Sequence, residues 1–153
     1  MIEVGKKAPS FSLFDSSGVK VSLNDFIGRK VILYFYPKDI TPGCTKEACD
    51  FRDFFPDFSK LQAVIIGINP DSIESHKKFI EKFNLPFFLL SDSNKVVANK
   101  YNVWKEKKFL GKTFMGVERS TFLIDENGRL LKIFRKVKVA GHVDEILKIL
   151  KQK

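Results

Sequence analysis

Two stretches of the chain, 30–36 (KVILYFY) and 62–68 (QAVIIGI), carry no polar alternation. A strand with one wet face alternates apolar and polar residues, so these two are covered on both faces, as in the centre of a parallel sheet. Leu85 to Leu90 reads as a third strand, with Pro86 near its start, where a missing donor is tolerated. Helical patterns lie between the strands. After Cys44, the residues Ala48, Phe51, Phe55 and Phe58 recur at three- and four-residue steps and share one face. Pro56 removes the bond to the Arg52 carbonyl and predicts a kink. Asn69-Pro70-Asp71-Ser72 caps a helix over 71–83, whose Ile73, Phe79, Ile80 and Phe83 form an apolar side. Ser91-Asp92 and Asn94 open a short helix reaching Tyr101.

The flanks complete the plan. Residues 8–14 alternate, Asp15-Ser16-Ser17-Gly18 turns, and 19–23 alternate again, which predicts an N-terminal hairpin. Asn24 to Gly28 reads as a helical turn closed by glycine. Residues 105–116 form a basic, glycine-punctuated insertion. Strands over 119–125 and 130–137 flank Glu126-Asn127-Gly128-Arg129, and Asn-Gly is a strong hairpin signal. Gly141-His142 precedes a last helix with Ile146, Leu147, Ile149 and Leu150 apolar. This order predicts an α/β fold, a three-layer α/β/α sandwich with a mixed sheet. It fits the thioredoxin fold with an added N-terminal β-hairpin. Residues 1–153 are expected to make a single domain.

Composition narrows the chemistry. No run approaches the roughly 18 apolar residues of a membrane span, and the start, MIEVGKKAPSF, has no hydrophobic leader core. A cytoplasmic protein is expected. In a reducing compartment the two cysteines, Cys44 and Cys49, read as catalytic or metal-binding rather than as a staple. A metal needs about three or four ligands. His76 and His142 are distant from the cysteines and are expected on helix surfaces, so neither metal nor cofactor is expected. The net charge of +9 falls entirely in residues 95–153, because residues 1–94 balance. A basic half of this kind suits nucleic acid, an anionic membrane or an acidic protein. The charges are spread rather than blocked and no nucleic-acid motif appears, so a solvated lysine-rich surface is expected, with no nucleic-acid or membrane partner.

Cys44 follows Thr41, Pro42 and Gly43 at the start of a helix. Unpaired N–H groups and the helix dipole favour an anion there, and a thiolate is one. Cys44 therefore reads as a nucleophile, recessed because it opens the buried stripe. Thr41 offers a hydroxyl three residues before the thiol, and it is also the natural N-cap, with Pro42 at the first helical position. One hydroxyl proton serves the two roles only in part. Pro37 either shields the thiol or simply ends the strand. Arg119 opens a strand beside apolar Phe122 and Ile124, where a charge is paired or functional. Cys49 stands five residues beyond Cys44. On an ideal helix that spacing puts the Cα atoms about 8.7 Å apart, against about 4.4–6.8 Å for a disulfide. The two sulfurs join only if the helix unwinds. Thiolate to sulfenic acid to disulfide is the reversible part of cysteine oxidation. A disulfide oxidoreductase of the thioredoxin type wants Cys-x-x-Cys, which is absent. The non-enzyme alternative is a basic nucleic-acid-binding or redox-sensing thioredoxin-like module.

The segment Pro37-Lys38-Asp39-Ile40-Thr41-Pro42-Gly43-Cys44 resembles the Pro-x-x-x-Thr-x-x-Cys signature of peroxiredoxins. Thr45 to Cys49, Gly67 to Ser72 and Gly116 to Asp125 are similar to the Q-type subfamily, the bacterioferritin comigratory proteins. The resemblance covers nearly the whole chain. It implies a thiol peroxidase acting on hydrogen peroxide and organic hydroperoxides, recycled by thioredoxin, without cofactor and often monomeric. It makes Cys44 the peroxidatic cysteine, Cys49 the resolving cysteine, and Thr41 and Arg119 the substrate-activating pair. Ile40 departs from the family pattern, where a polar residue is usual, and Asn69 stands where serine is common.

Overall fold

The computed structural model describes residues 2–152. Its centre is β3 (Lys30–Phe35), the strand predicted to be dry on both faces. Val31, Leu33 and Phe35 point to one face of the sheet and Ile32 and Tyr34 to the other, all buried. β3 runs parallel to β4 (Ala63–Asn69), which runs parallel to β5 (Phe88–Ser91). On the other side of β3 lie β8 (Ser120–Ile124) and then β9 (Leu130–Phe134), both antiparallel to their neighbours. The N-terminal hairpin, β1 (Ser12–Asp15) and β2 (Lys20–Ser22), is not an appendage. It pairs through β1 with the edge of β5 and brings the sheet to seven strands, in the order β2-β1-β5-β4-β3-β8-β9.

Helices cover both faces. One core layer gathers Tyr34, Ala48, Phe51, Phe58, Phe79, Ile146, Leu147 and Leu150. It seats α1 (Pro42–Asp53), α2 (Phe55–Lys60), α3 (Ile73–Phe83) and α5 (His142–Lys151) on the sheet. The opposite layer packs Val97, Ala98 and Tyr101, at and just beyond α4 (Val96–Lys100), with Phe11 and Leu23 from the N-terminal region. This is the three-layer α/β/α arrangement expected from the sequence.

Three elements differ from expectation. Pro56 does more than kink the helix: α1 ends at Asp53, Phe54 takes a non-helical ψ of 4°, and α2 restarts at Phe55. Pro56 lacks the N–H that would continue the ladder, so the break is the cheaper conformation. The third strand begins at Phe88 rather than Leu85. The basic insertion is itself a hairpin, β6 (Trp104–Phe109) with β7 (Lys112–Val117), forming a separate two-stranded sheet. β6 is half lysine and the apolar residues of β7 fall on both faces, so the hairpin carries no clean alternation.

Candidate active site

The site lies where β3 hands the chain to α1. Past Phe35 and the buried Tyr36, the segment 37–41 crosses the end of the sheet, and Thr41 sits at the N-cap with extended backbone (φ −99°, ψ 156°). Pro42 fills the first helical position and has no N–H to satisfy. The first intrahelical bond runs from Thr45 N–H to the Thr41 carbonyl. The N–H groups of Gly43 and Cys44 therefore precede the ladder at the positive end of the helix dipole. Cys44 is 2% exposed, recessed as the buried stripe required. Thr41 caps with its backbone only: its Oγ1 donates to the Lys38 carbonyl at 2.9 Å. The hydroxyl proton is spent within the loop, which leaves the oxygen lone pairs to accept from a bound O–H.

Arg119, the last residue before β8, reaches across to the thiol. Its Nη2 donates to Cys44 Sγ at 3.3 Å and its Nη1 to Glu47 Oε1 at 2.6 Å. Glu47 lies one turn beyond Cys44 on α1 and is fully buried. Burial pushes its carboxyl up to about 7, against the pull of the Arg119 charge. Its second oxygen has no partner among the described residues, and neither does the hydroxyl of buried Tyr34. Arg119 stays charged, favoured by Glu47 and the Cys44 sulfur in spite of its own burial. Gly43 makes room for it: a Cβ at this position would stand 3.2 Å from Arg119 Nη2. A carboxylate on α1 thus fixes a guanidinium over the thiol that α1 presents.

A second buried network holds the segment before the thiol. Asp39 accepts from Tyr36 Oη at 2.6 Å, Asn69 Nδ2 at 3.1 Å and Ser75 Oγ at 2.8 Å, and it contacts His76 Nδ1 at 2.6 Å. Its own N–H donates to Asp71 Oδ2 at 2.7 Å. His76 Nε2 faces the Leu90 carbonyl at 3.0 Å, and a carbonyl only accepts, so Nε2 carries hydrogen. The bonds from His76, Tyr36 and Ser75 outweigh burial and hold Asp39 below the ordinary carboxylate range. Groups from just past β3, from β4 and from α3 converge on this one carboxylate, and β5 joins through His76.

Both histidines expected on helix surfaces are buried. His76 is 0% exposed, because α3 turns it onto the sheet end where Asp39 and Leu90 satisfy both ring nitrogens. His142 packs edge-on against Phe134 and pairs through Nε2 with Thr121 Oγ1 at 2.8 Å. Burial, with the Arg119 charge nearby, lowers His142 to about 4. Among the described residues no group of three or more His, Cys, Asp or Glu side chains is placed to hold a metal ion.

Of the residues singled out in the sequence, the structure brings Cys44 and Arg119 into contact. Thr41 and Pro37 belong to the segment leading into α1. Cys49 is half-buried on α1, off the stripe, and both thiols are free. Glu47, Asp39 and His76 were missed. Glu47 had one visible signal, since it falls between Cys44 and Ala48 on the buried side of α1.

A recessed thiol at a helix start, under a fixed arginine on a thioredoxin-like sheet, defines a thiol redox protein. Comparisons with known proteins make the class specific. Residues 4–133 match the model of the AhpC/TSA family. Peroxiredoxin Bcp of Bacillus subtilis is 58% identical over 150 residues, covering 98% of this chain and 96% of its own. Peroxiredoxin Bcp of Escherichia coli K12 is 43% identical over 151 residues, covering 99% and 97%. A Xanthomonas campestris bacterioferritin comigratory protein, described for its alkyl peroxide reduction activity, superposes with a TM-score of 0.88. It is 42% identical, over 93% of this chain and 90% of that one. A cysteine-to-serine mutant of Xylella fastidiosa PrxQ reaches a TM-score of 0.94 at 35% identity, over 99% and 97%. The chain belongs to the AhpC/TSA family as a peroxiredoxin of the Bcp, or Q, type. It is a thiol-dependent peroxidase with the thioredoxin fold.

Proposed function

We propose that Cys44 is the peroxidatic nucleophile, activated by Arg119 and Thr41, and that Cys49 is its resolving partner. The observation that carries this reading is Arg119 Nη2 at 3.3 Å from Cys44 Sγ, braced by buried Glu47. A peroxide entering here meets the thiolate sulfur, the free N–H groups of α1, the guanidinium and the Thr41 oxygen. Thr41 accepts from the peroxide O–H and aligns the O–O bond with sulfur. Sulfur attacks one oxygen, the O–O bond breaks, and the departing oxygen leaves as alkoxide or hydroxide. Arg119 stabilises that developing charge. The product on the enzyme is the Cys44 sulfenic acid, and the released oxygen takes a proton to give alcohol or water. Pro37 closes the approach to the loop and limits water at the thiol.

Resolution requires movement. Cys49 lies five residues along an intact helix, outside disulfide reach. The first turns of α1 unwind, the Cys49 thiol displaces hydroxide from the Cys44 sulfenic acid, and water leaves. A dithiol protein of the thioredoxin type then returns two electrons and two protons. The protein works as a single-domain, cytoplasmic monomer. The test is NADPH consumption coupled through thioredoxin, with hydrogen peroxide and a bulky organic hydroperoxide side by side. Cys44→Ser abolishes turnover on both substrates; turnover near wild type sinks the assignment. Cys49→Ser keeps one fast oxidation of Cys44 but stops thioredoxin-driven cycling, and sustained cycling removes the resolving role.

A further inference from the structure

The β6–β7 hairpin has two unlike faces. Cross-strand partners share a side of a sheet, so Trp104 and Val117 belong to one face. Val117 is buried in the core and Trp104 packs against it, so this face seats the base of the hairpin on the protein. The opposite face carries the pairs Lys105–Gly116, Lys107–Phe114 and Phe109–Lys112. On this second, outward face the rings are open to solvent while Lys105 and Lys107 nearer the base are half-buried, and beyond the base the first face is open too, with Met115 51% exposed. Phe109 is 66% exposed and Phe114 48%, and Leu110 at the tip is 86% exposed. Two aromatic rings on the outward face, rimmed by three lysines, form an exposed apolar strip.

The strip begins at the active site. β7 ends at Val117, two residues before the Arg119 that touches Cys44 Sγ, and Lys107, on the face of Phe114, lies against Gly116 just upstream, its ammonium disfavoured by burial and by the Arg119 charge. A macromolecule that reaches the sulfur of Cys44 comes down beside the Arg119 end of this hairpin. The reductant of the proposed cycle is such a macromolecule, because its own thiolate has to touch the disulfide. From the position of the strip beside Cys44 and its lysine rim, we infer that the outward face of the β6–β7 hairpin is the docking surface for the reductant. The partner is a dithiol protein that presents an apolar patch bordered by acidic side chains. Aromatic residues at the centre of a contact with charges at its rim is the usual anatomy of a protein interface. The lysines accelerate encounter, and the rings hold the complex while sulfur exchanges.

The inference rests on the proposed disulfide cycle, so its test separates the two. The Phe109→Ser/Phe114→Ser double variant and Lys112→Glu are turned over with a bacterial thioredoxin and, separately, with dithiothreitol. The double variant is expected to raise the KM for thioredoxin about tenfold, the loss typical of removing interface anchors. Its dithiothreitol-driven turnover and the rate of its first oxidation by peroxide stay at wild type. Lys112→Glu raises the thioredoxin KM at low salt and weakens its dependence on ionic strength. An unchanged thioredoxin KM in the double variant overturns the inference. A parallel loss of dithiothreitol turnover overturns it too, because the hairpin then supports the site rather than a partner. Should the double variant instead lose self-association in sedimentation, or binding to phosphatidylglycerol vesicles, with the thioredoxin KM unchanged, the strip serves another partner and the inference fails. Failure of the cycle itself reads differently: Cys49→Ser then turns over with thioredoxin like wild type.

Discussion

Replacing Glu47 with glutamine should make the protein more stable and less active, and the stability gain should depend on pH. Glu47 is 0% exposed, and among the described residues only one of its oxygens is paired. Burial raises its carboxyl from 4.5 to about 7, even with Arg119 beside it. Below pH 4.5 the group is neutral in both folded and unfolded chains and costs nothing. Between 4.5 and 7 the unfolded chain loses the proton while the folded one keeps it, so stability falls as pH rises. Above 7 the folded state carries the whole burden. About 2.5 pH units at about 1.4 kcal/mol each amounts to roughly 3 kcal/mol. Glutamine never ionises. Glu47→Gln should therefore match wild type near pH 4.5 and exceed it by about 3 kcal/mol at about pH 8. Equilibrium unfolding in urea at the two pH values, with reductant present, measures this. The comparison cancels other titrating groups, His142 included. A difference that does not change with pH, or a variant less stable at the higher pH, refutes the reasoning. Peroxidase kcat/KM should fall about tenfold, because Arg119 exchanges an ion pair with a carboxylate for a weaker bond to a neutral amide oxygen.

Three further outcomes follow from the geometry. Gly43→Ala puts a methyl group 3.2 Å from Arg119 Nη2. The guanidinium is pinned by Glu47 and gives way only by leaving the thiol, so kcat/KM should drop about tenfold with Tm unchanged. Ile40 holds a left-handed backbone (φ 56°), an unfavourable place for a β-branched residue. Ile40→Asn should add about 1 kcal/mol in urea unfolding. Hydrogen exchange should show residues 45–50 protected in the reduced protein and exposed in the disulfide form; equal protection in both would contradict the unwinding of α1.

The sheet was legible because its strands announce themselves. KVILYFY and QAVIIGI are apolar on both sides, and the structure buries them on both sides. The thiol was legible for a related reason, since Thr41 and Pro42 are a natural N-cap and first helical residue ahead of the apolar stripe that Cys44 opens. Arg119 was found because a charge among Phe122 and Ile124 needs an explanation, and Glu47 provides it. What stayed hidden is polar and long-range. Asp39 and His76 stand 37 positions apart, and neither breaks a pattern on its own element. A histidine on an amphipathic helix looks like surface until the strand end beneath it offers a carboxylate and a carbonyl. The β6–β7 hairpin was hidden because both its faces are bare beyond the base, so burial never imposed an alternation on its sequence.

Glu47 lies between the two cysteines, and this position joins the stability argument to the proposed cycle. While α1 is wound, Glu47 is buried and braces the arginine that serves the first step. When the first turns of α1 open, Glu47 reaches water and its burial cost disappears. The same roughly 3 kcal/mol that weakens the folded protein above about pH 7 is then released into the opening that lets Cys49 reach Cys44. Opening stays local for two reasons. α1 already ends at the break before Pro56, and Phe51 and Phe58 remain packed in the core. The charge that positions Arg119 over the thiol is thus also a load on the helix. Disulfide formation after peroxide attack should accelerate as pH passes about 7, and Glu47→Gln should lose that acceleration while keeping both cysteines.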